Sequence, residues 1–159
     1  MKHTISVLVE NVPGVLSRVT GLFSGRGFNI ESLCVAETLD PKVSRITLVT
    51  SGNDQIVEQI IKQLNKLINV VKVTDFSTGE SVQREMALIK VRADGDSRAE
   101  LLRIADIFRA KVVDVSPEFY TIEITGDQNK LRAILDLLRH FQIKEIARTG
   151  TVAMARSKK

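Results

Sequence analysis

Cysteine occurs once and histidine twice in 159 residues. A single cysteine excludes a disulfide framework and a zinc cluster. Three prolines and nine glycines exclude collagen-like and linker-rich chains. No apolar run approaches the roughly 20 residues that span a bilayer; Ile5 to Val9, interrupted by Ser6, is among the longest. No basic-then-apolar leader opens the chain, so a cytoplasmic protein without membrane attachment is expected.

What is there is a globular mixture, 43% hydrophobic and 26% charged. The net charge of +4 invites a nucleic-acid reading. Its distribution opposes that reading: residues 1–77 carry +1 and residues 78–159 carry +3, and Arg156, Lys158 and Lys159 supply three positive charges at the end. A basic terminus is ordinarily solvated and frayed, and no basic face is concentrated elsewhere.

The hydrophobic period changes repeatedly. Ile5, Val7 and Val9 alternate as in a strand. Asn11-Val12-Pro13-Gly14 is a turn, and Val15, Leu16, Val19, Leu22 and Phe23 then recur at helical spacing. Residues 28–38 and 43–50 are strands around an Asp40-Pro41-Lys42 turn. Ile56, Val57, Ile60, Ile61 and Leu64 mark a helix, and residues 69–76 a fourth strand. After a polar linker over 78–83 the order returns. A strand over 84–93 leads to a helix striped by Leu101, Leu102, Ala105 and Phe108, with Ser97 and Glu100 spaced as a capping box. Strands over 111–115 and 119–125, a helix with Leu131, Ile134, Leu135 and Leu138, and a strand over 142–148 follow, with Thr151 to Ala155 as its candidate extension.

The fold class is α+β: two tandem βαββαβ halves, a first domain over 1–77 and a second over 84–159. Right-handed crossovers put both helices of each half on one sheet face, giving ferredoxin-like layers. Halves this small are marginal alone, so association is expected.

The catalytic inventory is thin. Neither His3 nor His140 has a neighbouring carboxylate or thiol in a motif. Cys34 lies within a strand and reads as a buried, inert thiol. No ligand spacing indicates a metal. Gly21, Gly25 and Gly27 follow a helical pattern rather than joining a strand to a helix, so they are helix-end and turn glycines. The RNA-recognition fold shares this element order, but it stacks bases on aromatics of the central strands. Residues 5–9 and 43–49 contain none.

One arrangement stands out. Gly14, Val15 and Leu16 lie in the first helical turn, where backbone N–H groups lack intrahelical partners and the dipole is positive. That suits a carboxylate, and Gly14 permits close approach. Asn11 and Asn29 each offer a donor and an acceptor. Together they suit a zwitterionic amino acid. The same residues are also ordinary turn and cap chemistry.

Residues 4–76 resemble an ACT domain, the small amino-acid-sensing module. The segments Ser6-Val7-Leu8-Val9-Glu10-Asn11-Val12-Pro13-Gly14-Val15-Leu16-Ser17-Arg18-Val19, Gly21-Leu22-Phe23, Arg26-Gly27-Phe28-Asn29-Ile30-Glu31-Ser32-Leu33 and Ser44-Arg45 resemble the regulatory subunits of acetolactate synthase, also called acetohydroxyacid synthase. The similarity continues through Asp114-Val115-Ser116-Pro117 and Ala147-Arg148-Thr149-Gly150. The resemblance implies a non-catalytic subunit in branched-chain amino acid biosynthesis. Its partner would be a catalytic subunit holding thiamine diphosphate, Mg and FAD, with no cofactor in this chain. The subunit would raise the partner's activity and confer feedback inhibition by valine or another branched-chain amino acid. The resemblance also implies an ACT homodimer with effector sites at its interface. Asn11, Gly14, Val15 and Leu16 would come from one chain and Asn29 and Ile30 from the other, with Ser17, Cys34 and Ala36 nearby.

The corresponding turn of the second half, Asp94-Gly95-Asp96-Ser97, carries two carboxylates that would repel an amino-acid carboxylate. Pairing and contact with the catalytic subunit are its expected tasks. The alternative reading is a free-standing ACT sensor of a different enzyme or transcription factor.

Overall fold

The alternation of Ile5 to Val9 becomes the central part of a longer strand, β1 (Lys2–Glu10). The structure is a computed structural model that describes residues 1–157. Its contacts divide the chain into two units, Met1–Val82 with the segment from Gly150 onward, and Gln83–Thr149.

In the first unit β1 is followed by α1 (Val15–Gly25), β2 (Ile30–Glu37), β3 (Val43–Ser51), α2 (Asp54–Asn65) and β4 (Val70–Asp75). The strands lie in the order β2-β3-β1-β4, and every pairing is antiparallel. This is the expected ferredoxin-like βαββαβ layer. Side chains alternate across a strand, so Ile5, Val7 and Val9 share a face with Ile46 and Leu48. Val15, Val19 and Phe23 of α1 and Val57, Ile60 and Leu64 of α2 close over that face. Phe23 is wholly buried, and its truncation to alanine would cost about 3–5 kcal/mol. The opposite face carries Ser6, Thr47 and Arg45, and there Arg45 Nη1 donates to Ser6 Oγ at 2.8 Å.

The second unit repeats the order with β5 (Ser81–Arg92), α3 (Ser97–Ile107), β6 (Lys111–Val115), β7 (Phe119–Gly126), α4 (Gln128–Leu138) and β8 (Ile143–Arg148). The sheet order is β6-β7-β5-β8. Ala87, Ile89 and Val91 of β5 and Ile122 and Ile124 of β7 meet Leu101 and Ile104 of α3 and Leu131, Ile134 and Leu138 of α4. Glu85 is buried and held by two bonds from Arg148, Nε to Oε1 at 2.6 Å and Nη2 to Oε2 at 3.0 Å. Hydrogen bonding to Glu85 raises the Arg148 pKa.

Four local expectations change. The Ser97–Glu100 capping box does not form: Ser97 is already helical, Asp96 stands at the cap without a side-chain bond, and Ser97 Oγ donates back to Asp94 O at 2.7 Å. The turn at Gly95, with φ of 51°, delivers the chain to the helix one residue earlier than the box requires. By contrast, Asn53 caps α2 through Ile56 N at 2.9 Å and Asp127 caps α4 through Lys130 N at 2.8 Å.

Residues 152–155 do not extend β8. They form a separate strand, β9 (Val152–Ala155), which pairs with β5. Gly150, at φ 84°, breaks the extended path between them. β5 accordingly begins at Ser81, inside the stretch read as a linker.

The tail is not frayed at Arg156, whose N–H donates to Glu80 O at 3.1 Å. Lys158 and Lys159 lie outside the described residues.

Candidate functional site

The turn after β1 feeds α1 through Gly14, the N-cap residue, at φ 86° and ψ −11°. Such a left-handed backbone favours glycine. A Cβ built there would meet nothing within 4 Å, so the space beside the first helical N–H groups is open. Val15 is buried in the core, while Leu16 and Ser17 are exposed. α1 has no side-chain cap and no acidic residue in its first turn. Its positive dipole end therefore lacks the side-chain compensation that Asn53 and Asp54 supply to α2.

Asn11 is tied to the β2–β3 hairpin. Its backbone N–H donates to Lys42 O at 2.8 Å. Its Nδ2 donates to Glu37 Oε1 at 3.1 Å and to Pro41 O at 3.0 Å. Both side-chain bonds use the amide nitrogen, so neither consumes the amide oxygen. Glu37 was not singled out by motif spacing, because it lies 26 residues away from Asn11 in sequence. Its place follows from strand register: Glu37 stands opposite Ser44, and Ser44 opposite Val9. The loop is braced further by Arg18 Nη1 donating to Asn69 Oδ1 at 2.7 Å, and Asn69 Nδ2 donating to Glu10 Oε2 at 2.9 Å.

Asn29 and Ile30 occupy the other end of the sheet. Asn29 is exposed, and its carbonyl accepts from Thr50 Oγ1 at 2.8 Å. Ile30 stands opposite Thr50, which stands opposite His3. The six steps from His3 to Val9 advance roughly 20 Å at about 3.3 Å each. One chain therefore does not bring Asn29 and Ile30 to Asn11 and Gly14. Between them on β2, Cys34 is a half-buried free thiol opposite Thr47, and Ala36 is exposed opposite Arg45.

β2 is an edge strand, and it exposes apolar side chains: Leu33 is 37% and Val35 41% accessible. Leu16 of α1, at 41%, and Val12, at 47%, add to that apolar surface. The start of β2 is fastened by Glu31, which pairs with Lys2 Nζ at 2.9 Å and accepts a hydrogen bond from the Ser51 hydroxyl. The Lys2 and Ser51 bonds together hold the Glu31 carboxyl below its usual range.

His3 also differs from its sequence reading. It is 3% exposed, with Nδ1 at 2.9 Å from Ser77 Oγ and 3.7 Å from Asp75 Oδ2, and Nε2 at 3.2 Å from Asp54 Oδ1. Those partners lie 51 to 74 residues away, beyond any local motif. They tie β1 to the starts of α2 and the turn after β4.

In the second unit the equivalent turn is acidic, as read. Asp94 Oδ2 accepts from Arg92 Nε at 2.9 Å, and this hydrogen bond raises the Arg92 pKa. Glu100 lies in the first turn of α3. Among the described residues, no group of three or more His, Cys, Asp and Glu could hold a metal ion, and no helix is long and apolar enough to cross a membrane.

A family model described as the AHAS small subunit-like ACT domain matches residues 5–72. Another, described as the small subunit of acetolactate synthase, matches residues 84–157. The chain is 56% identical over 159 residues to an Archaeoglobus fulgidus protein named "Probable acetolactate synthase small subunit", covering 100% of this chain and 99% of that one. It is 54% identical over 154 residues to the acetolactate synthase small subunit of Mycobacterium bovis, covering 97% and 92%. The crystal structure of the acetolactate synthase small subunit from Thermotoga maritima superposes with a TM-score of 0.89 at 48% identity, covering 100% and 99%.

Proposed function

The chain belongs to the family of acetolactate synthase small subunits and carries their ACT domain, and from that premise we propose that it activates an acetolactate synthase catalytic subunit and makes it sensitive to valine or another branched-chain amino acid. The carbon–carbon bond-forming chemistry, with thiamine diphosphate, Mg and FAD, is assigned to that partner. This chain supplies the sensor.

The observation that carries the reading is the separation of the site's two halves. Asn11 and Gly14 lie at one end of the sheet and Asn29 and Ile30 at the other. A two-fold pairing of two β2 edges reconciles them. Centred between Leu33 and Cys34, an antiparallel pairing sets Ile30 of one chain opposite Glu37 of the other. Glu37 is bonded to Asn11. Such an interface is self-complementary, as a homodimer requires, and it covers exposed apolar residues of an edge strand.

The effector's carboxylate then meets the N–H groups of Val15 and Leu16, which no side-chain cap satisfies. Its ammonium meets the Asn11 amide oxygen and the Glu37 carboxylate. Leu16 and Ile30 offer apolar contact for a branched side chain. Because the site is built from two chains, effector binding strengthens dimerisation by linkage. A coupling of about 1–3 kcal/mol between effector binding and the partner's active state shifts that state's equilibrium about 5–150-fold.

The test is reconstitution with the catalytic subunit, assayed with and without valine. Activation on mixing and inhibition by millimolar valine are expected. Absence of both sinks the proposal. A free-standing sensor of another enzyme would instead co-purify with a partner that forms no acetolactate.

A further inference from the structure

The segment that follows β8 is anchored twice within four residues. Arg148 holds Glu85 through two bonds, and Thr149 N–H donates to Met86 O at 3.0 Å. Both contacts belong to the second unit. The next two residues group with the first unit. Gly150 is buried at φ 84°, and a Cβ built on it would lie 2.9 Å from Ser32 Oγ and 3.2 Å from Leu33 O. Positive φ and close approach both demand glycine here. Thr151 N–H donates to Ser32 Oγ at 3.1 Å, and Thr151 is 2% exposed. The docked segment continues into β9.

Ser32 stands at a particular place on β2. The register between β2 and β3 shifts between Ile30 and Ser32. That bulge separates Ser32 from Ile30 and bends the strand locally. The Thr151 hydroxyl is buried without a hydrogen-bond partner among the described residues. An unsatisfied buried hydroxyl makes the docked position less favourable than a fully bonded one. Consecutive Cα atoms lie 3.8 Å apart, so a tether of two or three residues has almost no slack. A shift of β2 at Ser32 therefore loads the Thr151–Ser32 bond.

We propose that Ser32 and the Gly150–Thr151 segment form a clasp that relays effector occupancy on β2 into inhibition. Effector held against Asn29 and Ile30 fixes the bulge in the path that docks the clasp. Released, the small subunit activates without inhibiting. The relay rests on the sensing role proposed above and adds a positioning pair to it. Ser32 acts through Thr151 and is separate from the residues assigned to the effector.

The experiment uses the full chain and its complex with the catalytic subunit, with valine as probe. Ser32→Ala removes the acceptor. Gly150→Ala adds a Cβ where φ and Ser32 both oppose it. For both variants, activation without valine should match the wild type, and calorimetry should still detect valine binding, weakened by no more than the coupling of about 5–150-fold. Inhibition at saturating valine should be lost. In the wild-type chain, valine should slow amide exchange at Thr151 by about fivefold or more, the low end of site-to-site coupling. If Gly150→Ala fails to fold, Ser32→Ala and the exchange measurement still decide. Full valine inhibition of Ser32→Ala, or unchanged exchange at Thr151, overturns the relay. So does loss of valine binding in Ser32→Ala, which would put Ser32 in the site. A wild-type protein that neither binds valine, leucine or isoleucine nor responds to them overturns the sensing role itself, and the relay with it.

Discussion

Asn11 donates its side-chain amide to Glu37 across the end of the sheet, Nδ2 to Oε1 at 3.1 Å. The bond holds the loop before α1 in one orientation and leaves the Asn11 amide oxygen uncommitted by it. Asn11→Ala removes both the anchor and the proposed acceptor for an ammonium. A hydrogen bond to a charged group contributes about 1.5–3 kcal/mol, so calorimetry should find valine binding weakened by about tenfold or more. Unchanged affinity would place the ammonium elsewhere.

Gly14→Asp should abolish valine inhibition while sparing the fold. A carboxylate at a helix N-terminus stabilises α1 by about 0.3–1 kcal/mol through the dipole. Aspartate also tolerates left-handed backbone better than most residues. The same charge repels an effector carboxylate from the first-turn N–H groups. The check is inhibition of the reconstituted complex alongside the thermal midpoint of the variant. A folded Gly14→Asp protein that remains fully inhibited would refute the pose.

Leu33→Lys should separate the proposed dimer. Leu33 is 37% exposed on the edge strand β2, and an edge lysine blocks strand pairing. Sedimentation at micromolar concentration should show a monomer, and valine should release no heat. A variant that stays dimeric would move the interface off β2.

Glu31 gives stability a pH dependence with a defined sign. Its carboxyl is held below the ordinary value of 4.5 by hydrogen bonds from Lys2 and Ser51. A depressed folded pKa contributes stability above the unfolded pKa, and that contribution is lost as pH falls through the folded pKa. Glu31→Gln should therefore lower the thermal midpoint slightly at pH 7. The difference from wild type should vanish once the pH is well below 4.5, the carboxyl's ordinary value. A difference independent of pH would assign the effect to shape rather than charge.

Arg148→Ala leaves the buried Glu85 carboxylate without its two-bond partner. An unpaired buried charge is costly, but the Arg148 side chain is 46% exposed, so water can partly replace it. The expected loss is about 2 kcal/mol, read as a lower denaturant midpoint. Replacing both partners, as Glu85→Met with Arg148→Met, should recover part of the loss. No loss in the single variant would show that the pair is neutral.

Much of the fold was legible along the chain because its signals are local. Val15, Val19 and Phe23 recur at helical spacing, and Ile5, Val7 and Val9 alternate, so the faces that became buried were already marked. The Asn11-to-Gly14 turn could be placed before α1 for the same reason. Edge position, register and closure are non-local, and no spacing rule reaches them. The Asn11–Glu37 bond spans 26 residues, the His3–Ser77 contact 74 and the Thr151–Ser32 bond 119. The capping box at Ser97 failed because a glycine turn moved the helix start, although the residue types were right. The elements and the chemistry available to the first helix were thus set by neighbouring residues. The opposite placement of Asn11 and Asn29 arises from strand pairing, because hydrogen-bonded register decides which distant residues become neighbours, and the docking of Gly150 on β2 comes with a bond from Thr151 N–H to the Ser32 side chain.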